Sequence, residues 1–254
     1  MIKLVLIGTG NVAIHLLKAF AKSEEVEVLQ VVGRNTNVLK SFENDSETGF
    51  IDQVRKDADI YIIAVSDDAI GSVNQELNDI HSLVVHTSGA VSMGALESRE
   101  RRGVFYPLQT FSPERQLSLK EVPICLESEQ PSDLNLLHTL AYCVSDRVLH
   151  VPSEKRLQLH LAAVFANNFT NHLCHLAHDI LGEADLPFDL LFPLIQETAS
   201  KLKDHAPYLA QTGPARRRDL STIARQIKLL KTPTQKQIYQ LLSNSIQETY
   251  AKKL

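Results

Sequence analysis

Cysteine is scarce in this chain. Cys125, Cys143 and Cys174 are the only three in 254 residues, too few and too scattered for a disulfide framework or a paired Cys-x-x-Cys metal site. A reducing compartment suits them. An excess of positive charge is missing too: 26 Lys and Arg stand against 30 Asp and Glu, a formal net charge of -4. The chain as a whole therefore lacks the positive field that nucleic acid or an acidic membrane attracts. Long apolar runs are also absent. The opening run IKLVLIG goes straight into a glycine turn, too short for a signal-peptide core or a membrane span. The expectation is a cytoplasmic protein, with no membrane or nucleic-acid partner, acting on small soluble ligands.

What is present is an ordinary globular composition, 44% hydrophobic and 22% charged, which excludes disorder, collagen and fibre and supplies enough apolar side chains for a sizeable core. The length admits one α/β domain and one helical domain. Residues 2–7 form a near-continuous apolar run, as in a strand buried on both faces. From Val12 to Phe20, Val12, Leu16, Leu17 and Phe20 recur at helical spacing. Further strands are predicted at 26–32, 59–65, 82–85, 103–106, 122–126 and 147–151, with a helix at 134–143. The fold class this predicts is α/β, a doubly wound Rossmann-type parallel sheet with ligands at the carboxyl ends of its strands, followed by an all-helical domain. After Pro152 no strand is predicted, only helical stretches at 154–181, 188–209, 220–230 and 233–252, broken at Gly182, Pro187, Gly213-Pro214 and Pro233. The expected domains are therefore 1–152, dinucleotide-binding, and 153–254, for substrate and dimerisation.

The first turn reads Gly8-Thr9-Gly10-Asn11-Val12-Ala13, a GxGxxA between a buried strand and an amphipathic helix. Gly8 permits the tight turn, Gly10 lets a pyrophosphate approach the backbone, and the helix N-terminus offers amides to the anion. A lone match is weak, but this position is the context the motif needs. At the end of the second strand stand Gly33-Arg34-Asn35. No carboxylate is there for the ribose hydroxyls of NAD, and Arg34 suits the 2′-phosphate of NADP. NADPH is expected over NADH, with a solvated loop cation as the plainer reading of Arg34. The predicted cofactor contacts are Gly8, Thr9, Gly10, Asn11 and Val12, then Arg34 and Asn35, then Val65 and Ser66 beneath the nicotinamide ribose. Asp67 or Asp68 is expected to cap the following helix. Ser88 and Gly89 in HTSG, and Gln109 and Thr110 in YPLQTF, are candidate substrate walls.

In the helical half, His160 stands on an otherwise apolar stretch followed by Asn167 and Asn168. On a uniform α-helix at 100° per residue, Asn167 lies about 20° and Asn168 about 80° from His160, so either amide could share its site and geometry prefers Asn167. A core histidine satisfied by backbone or water is the competing reading. His172, His175 and His178 drift around the helix, without zinc-type spacing, and no metal site is expected. Arg216, in the basic turn ARRRD, is a candidate anchor for a substrate carboxylate or an ordinary solvated arginine.

The segments GTGNVA, VVGRN, VSDDAI, HTSGA, YPLQTF, HLAAVFANN and TGPARRRD, in that order, resemble the bacterial NADP oxidoreductases that carry an uncharacterised helical C-terminal domain. That family is related to deazaflavin-dependent NADP oxidoreductases, pyrroline-5-carboxylate reductases and the 6-phosphogluconate-dehydrogenase-like group. The resemblance covers nearly the whole chain. It implies a homodimer packed through the tail helices, and it selects Asn168 over Asn167 as the partner amide. His160 stands where the wider group carries a catalytic lysine, a departure that bears on mechanism because histidine titrates near neutrality.

The expected activity is NADPH-dependent reduction of a small keto or imino acid, ketopantoate-like in the relatives. Hydride would go to the substrate carbon, with a proton from His160 and orientation by Asn168. The alternative is a non-catalytic NADP-binding sensor, tested by turnover across a panel of keto acids. A methyltransferase is set aside, since it would place an acidic residue where Gly33-Arg34 stand.

Overall fold

The computed structural model describes residues 1–115 and 117–251. The chain folds as two compact units, Met1–Asn167 and Asn168–Leu254. The boundary expected at 152/153 falls where the last strand gives way to a long helix.

The first unit is an eight-stranded sheet. β1 (Ile2–Ile7), β2 (Val26–Val32), β3 (Glu47–Gly49), β4 (Ile60–Ile63), β5 (Leu83–His86), β6 (Arg102–Pro107), β7 (Ile124–Ser128) and β8 (Val148–His150) lie in the order β3-β2-β1-β4-β5-β6-β7-β8. Every neighbouring pair is parallel except β6 and β7. The order reverses between β1 and β4, which opens a crevice at their carboxyl ends.

Alternate residues of β1 face opposite sides. Leu4 and Leu6 enter a core with Leu16, Leu17 and Phe20 of α1 (Asn11–Phe20), and with Leu137 and Leu140 of a helix at Pro131–Tyr142. Val5 and Ile7 enter the other with Tyr61, Ile63, Ile70 and Leu77. Two faces buried by one strand explain its unbroken apolar run. Between β2 and β4 lie α2 (Thr36–Leu39) and β3, and between β4 and β5 lies α3 (Ile70–Glu76). The helix at Pro131–Tyr142 is α4.

Two features of the sheet depart from the sequence reading. β3 is three residues long and too short to show a period. β7 is antiparallel to β6, not parallel, because residues 108–123 contain no crossover helix among the described residues, and a parallel return needs one. This connection is instead a strap across α1. Asn11 Nδ2 donates to the Phe111 carbonyl at 3.0 Å, and the His15 ring nitrogens lie 2.8 and 2.9 Å from the Asn11 and Arg115 carbonyls.

The helix predicted at 154–181 is interrupted. α5 (Ser153–Ala163) runs into a π-helical segment, Val164–Phe169, and then into α6 (Thr170–Gly182). A π turn closes i→i+5 bonds and takes more residues per turn. The offsets of 20° and 80° for Asn167 and Asn168, which assume a uniform α-helix, therefore do not apply.

The second unit continues with α7 (Phe192–Asp204), α8 (Pro207–Ala210), α9 (Leu220–Leu229) and α10 (Pro233–Ala251). α6 ends at Gly182 and α10 starts at Pro233, as the breaks predict. Asp219 Oδ1 caps α9 by accepting from Thr222 N at 3.0 Å. Tyr250 stacks on Tyr208, ring centroids 4.5 Å apart, and donates to the Tyr208 carbonyl. Only Ala215, Ile223, Gln235 and Ser243 are buried among the described residues of this unit. No helix of the described residues is long and apolar enough to cross a membrane.

Candidate active site

The crevice between β1 and β4 is a cleft of about 750 Å³. Gly8 forms its floor with φ +127°, and a β-carbon there would lie 2.1 Å from the Ala64 carbonyl oxygen at the end of β4. Only glycine fits both constraints. A β-carbon on Gly10 would meet no atom within 4 Å; it would project into open space beside the turn. Gly10 caps α1 without a side-chain bond, and the first intrahelical bond is Ile14 N to Gly10 O. The amides of Asn11, Val12 and Ala13 precede that bond and are left for an outside acceptor. These observations fit a dinucleotide pyrophosphate.

The cleft gathers all the predicted cofactor contacts. Thr9, Asn11 and Val12 line it at the turn, Arg34 and Asn35 at the end of β2, Val65 and Ser66 at the end of β4. Thr9 packs on Gly33, where a β-carbon would sit 2.6 Å from Thr9 Cγ2. Asn35 is also a cap, its Oδ1 accepting from Asn37 N at 2.9 Å. Arg34 is exposed and makes no ion pair among the described residues. The cap expected from Asp67 or Asp68 is not made: Ser66 holds the cap position without a side-chain bond, and both aspartates lie inside a 3-10 turn. The backbone there turns too tightly for the expected α-helical cap.

The four predicted substrate-wall residues separate. Gln109 and Thr110 line the cleft with Thr87 and Phe111. Ser88 is buried and its hydroxyl is used locally, accepting from Ala90 N at 3.1 Å and Val91 N at 3.0 Å. Gly89 lies beneath His160, and a β-carbon on it would sit 2.6 Å from both His160 Nδ1 and Tyr106 Cζ. Just before this turn, His86 is fully buried. Its Nδ1 accepts from Ser88 N at 3.2 Å and its Nε2 faces the Ser92 carbonyl at 3.3 Å. Burial lowers its pKa to about 4, so it is a neutral structural group.

His160 is half-buried near the C-terminal end of α5, with Nδ1 3.0 Å from the Tyr106 hydroxyl and the rings edge-on. The sequence reading placed Tyr106 in the YPLQTF wall turn but missed its pairing with His160; 54 positions separate the two, and no local pattern joins them. One turn before His160, the buried Arg156 bonds to Glu127 of β7, to the Val91 carbonyl at 2.7 Å and to Ser153 Oγ at 3.1 Å. Burial alone would raise the Glu127 carboxyl, but bonds from Arg156 and Ser153 outweigh it and hold the group below its ordinary range.

Asn168 and Arg216 belong to the second unit. Asn168 lies in the π-helical segment. Arg216 donates to the Gln211 carbonyl and lies 5.1 Å from the Tyr250 ring centroid. Although the histidines of α6 were expected to drift apart, the ligand atoms of His175, His178 and Asp179 lie within 4.8 Å of one another. Asp179 accounts for this: it is one turn beyond His175 and adjacent to His178.

Residues 3–89 match the family described as NADP oxidoreductase, coenzyme F420-dependent, and residues 122–246 match a domain of unknown function. No curated protein matches the chain. Among solved structures, the "putative NADP oxidoreductase BF3122" of Bacteroides fragilis is 38% identical over 97% of this chain and 98% of its own, with a TM-score of 0.92. Protein TM1727 of Thermotoga maritima is 22% identical over 98% and 99%, TM-score 0.81. An imine reductase of Myxococcus stipitatus in complex with NADP+ is 14% identical over 98% and 93%, TM-score 0.68. The last two establish the fold alone. With its glycine turn, its cleft and these matches together, the chain belongs to the NADP oxidoreductase family that joins a Rossmann-like N-terminal domain to this helical C-terminal domain.

Proposed function

We propose that the protein is an NADPH-dependent reductase of a small keto or imino acid, with His160 as proton donor. The observation that carries this is the position of His160 against Gly89, two residues beyond the cleft-lining Thr87. When bound, the reduced nicotinamide supplies a hydride to the substrate's carbonyl or imine carbon. The backbone amides after Gly10 would hold the pyrophosphate, and Arg34 would hold the 2′-phosphate. His160 gives its proton to the substrate oxygen or nitrogen. The imine reductase with the same fold, in complex with NADP+, supports the phosphorylated cofactor and a C=N substrate.

We also assign the exposed apolar faces of the second unit to a homodimer contact. Phe192, Leu194, Leu209, Leu220 and Leu241 are each more than half exposed in the monomer, an arrangement that another protein surface would cover. The three free thiols suit the cytoplasm.

Two measurements test the function. Calorimetry should give NADPH binding that weakens about tenfold or more in Arg34→Ala, with NADH affinity nearly unchanged. NADPH oxidation should then be screened with small 2-keto acids, ketopantoate included, and with cyclic imino acids. Turnover lost in His160→Ala with NADPH binding intact supports the reading. Binding without turnover on any of them would make the protein a sensor.

A further inference from the structure

We infer that Tyr106 is the positioning residue of the proton donor: its hydroxyl fixes Nδ1 of His160, so that Nε2 is the nitrogen that gives its proton to the substrate. This rests on the reading of His160 as the donor. Tyr106 is the penultimate residue of β6 and is buried, packed with Met93, Val104 and Cys125. Its ring is therefore fixed by the sheet. The Oη to Nδ1 distance is 3.0 Å, and both groups close over Gly89, where any side chain would displace one or the other.

The imidazole is held from the helix side as well. Arg156 and His160 are four residues apart and share a face of α5. The buried Arg156 is locked to Glu127, Ser153 and the Val91 carbonyl. Among the described residues, Nε2 of His160 has no hydrogen-bond partner.

A phenol hydroxyl can both donate and accept, so it can stay with Nδ1 through a full cycle. In the imidazolium, Nδ1–H donates to the Tyr106 oxygen. As hydride reaches the substrate carbon, the Nε2 proton passes to the substrate's oxygen or nitrogen. The ring is left neutral with Nδ1–H still on Tyr106, and water later restores the Nε2 proton. Tyr106 keeps its own proton throughout, since burial pushes its ionisation up to about 12. A carboxylate at this place would orient the ring and also stabilise its cation. A phenol orients it without adding charge.

The test uses the full chain with 15N-labelled histidine, His160→Gln to assign the ring signals, and Tyr106→Phe, which keeps the ring's shape. In the unsubstituted protein at alkaline pH, His160 should be a single tautomer protonated at Nδ1. In Tyr106→Phe the Nδ1 signal should move and a mixture of tautomers appear, with NADPH binding unchanged. With NADPH and 1-pyrroline-2-carboxylate as the probe, kcat in Tyr106→Phe should fall about tenfold, with KM within about twofold. An Nδ1 signal unchanged by Tyr106→Phe overturns the inference, whether or not the probe is turned over. Loss of turnover equal to that of His160→Gln with an unchanged tautomer also overturns it, and makes Tyr106 the donor itself. If His160→Gln retains full turnover, the donor assignment fails instead, and the two failures are told apart.

Discussion

Four of the six residues of β1 are buried, whereas none of the thirteen residues of α7 is. The contrast extends over both units: among the described residues, apart from Ala215 and Ile223, the whole buried hydrophobic core lies in the first. The sheet unit closes a core of its own, with two helical layers and an ion pair sealed between β7 and α5, although Leu157, Leu161 and Phe165 near its end stay open to solvent. In the second unit Leu194, Leu209, Leu220 and Leu241 stay open to solvent. Stability in the first unit is thus set by contacts made inside it. In the second, Ala215 and Ile223 are the only buried hydrophobic side chains among the described residues, so little stability comes from a closed core.

The contrast can be broken or sharpened by substitution. The largest effect is expected from Gly8→Ala, which puts a β-carbon against the Ala64 carbonyl at a positive φ. Overpacking and backbone strain together cost roughly 5 kcal/mol. Denaturant unfolding should show a destabilised sheet unit, and calorimetry no NADPH binding. Next is Glu127→Ala, which strands the buried Arg156. Removing one partner of such a pair costs roughly 4 kcal/mol, and Glu127→Ala combined with Arg156→Leu should recover part of the loss in the same unfolding assay.

A third effect is set by pH. His86 has its ordinary value of 6.5 when unfolded but about 4 when folded. Between those values only the unfolded chain takes up the proton. The stabilising effect of keeping His86 neutral is complete above pH 6.5 and falls away as pH drops towards 4, by roughly 3 kcal/mol at most. Unfolding curves across this window should slope less steeply in His86→Gln.

The smallest effect on monomer stability should come from Leu194→Asp. As an exposed surface change, it should alter the sheet unit by less than about 0.5 kcal/mol. It should nonetheless lower the molar mass seen by light scattering, if a second copy covers α7. An unchanged mass would remove Leu194 from the contact.

Much of this molecule can be read from its residues, for identifiable reasons. The runs at 2–7 and 26–32 are strands buried on both faces, and GTGNVA has a backbone meaning independent of the rest of the chain, so both are visible locally. β3 is not, because three residues cannot display alternation. The antiparallel β7 is hidden because strand direction depends on the connection, and the 108–123 segment shows its lack of a helix only by omission. The π-helical turn at Val164–Phe169 leaves the apolar spacing nearly intact while changing the rotation per residue. The pairing of Tyr106 with His160 is created by the register of β5 beside β6, the missing side chain at Gly89 just after β5, and the direction of α5, which lies more than sixty residues further along the chain.

The strap over α1 joins two walls of one cleft. Gln109, Thr110 and Phe111 wall the cleft, while the same segment is bonded through Asn11 and His15 to the helix whose first turn opens on it. A substitution at any of those three positions therefore also pulls on the seating of that helix. One wall of the crevice is thus mechanically tied to the other.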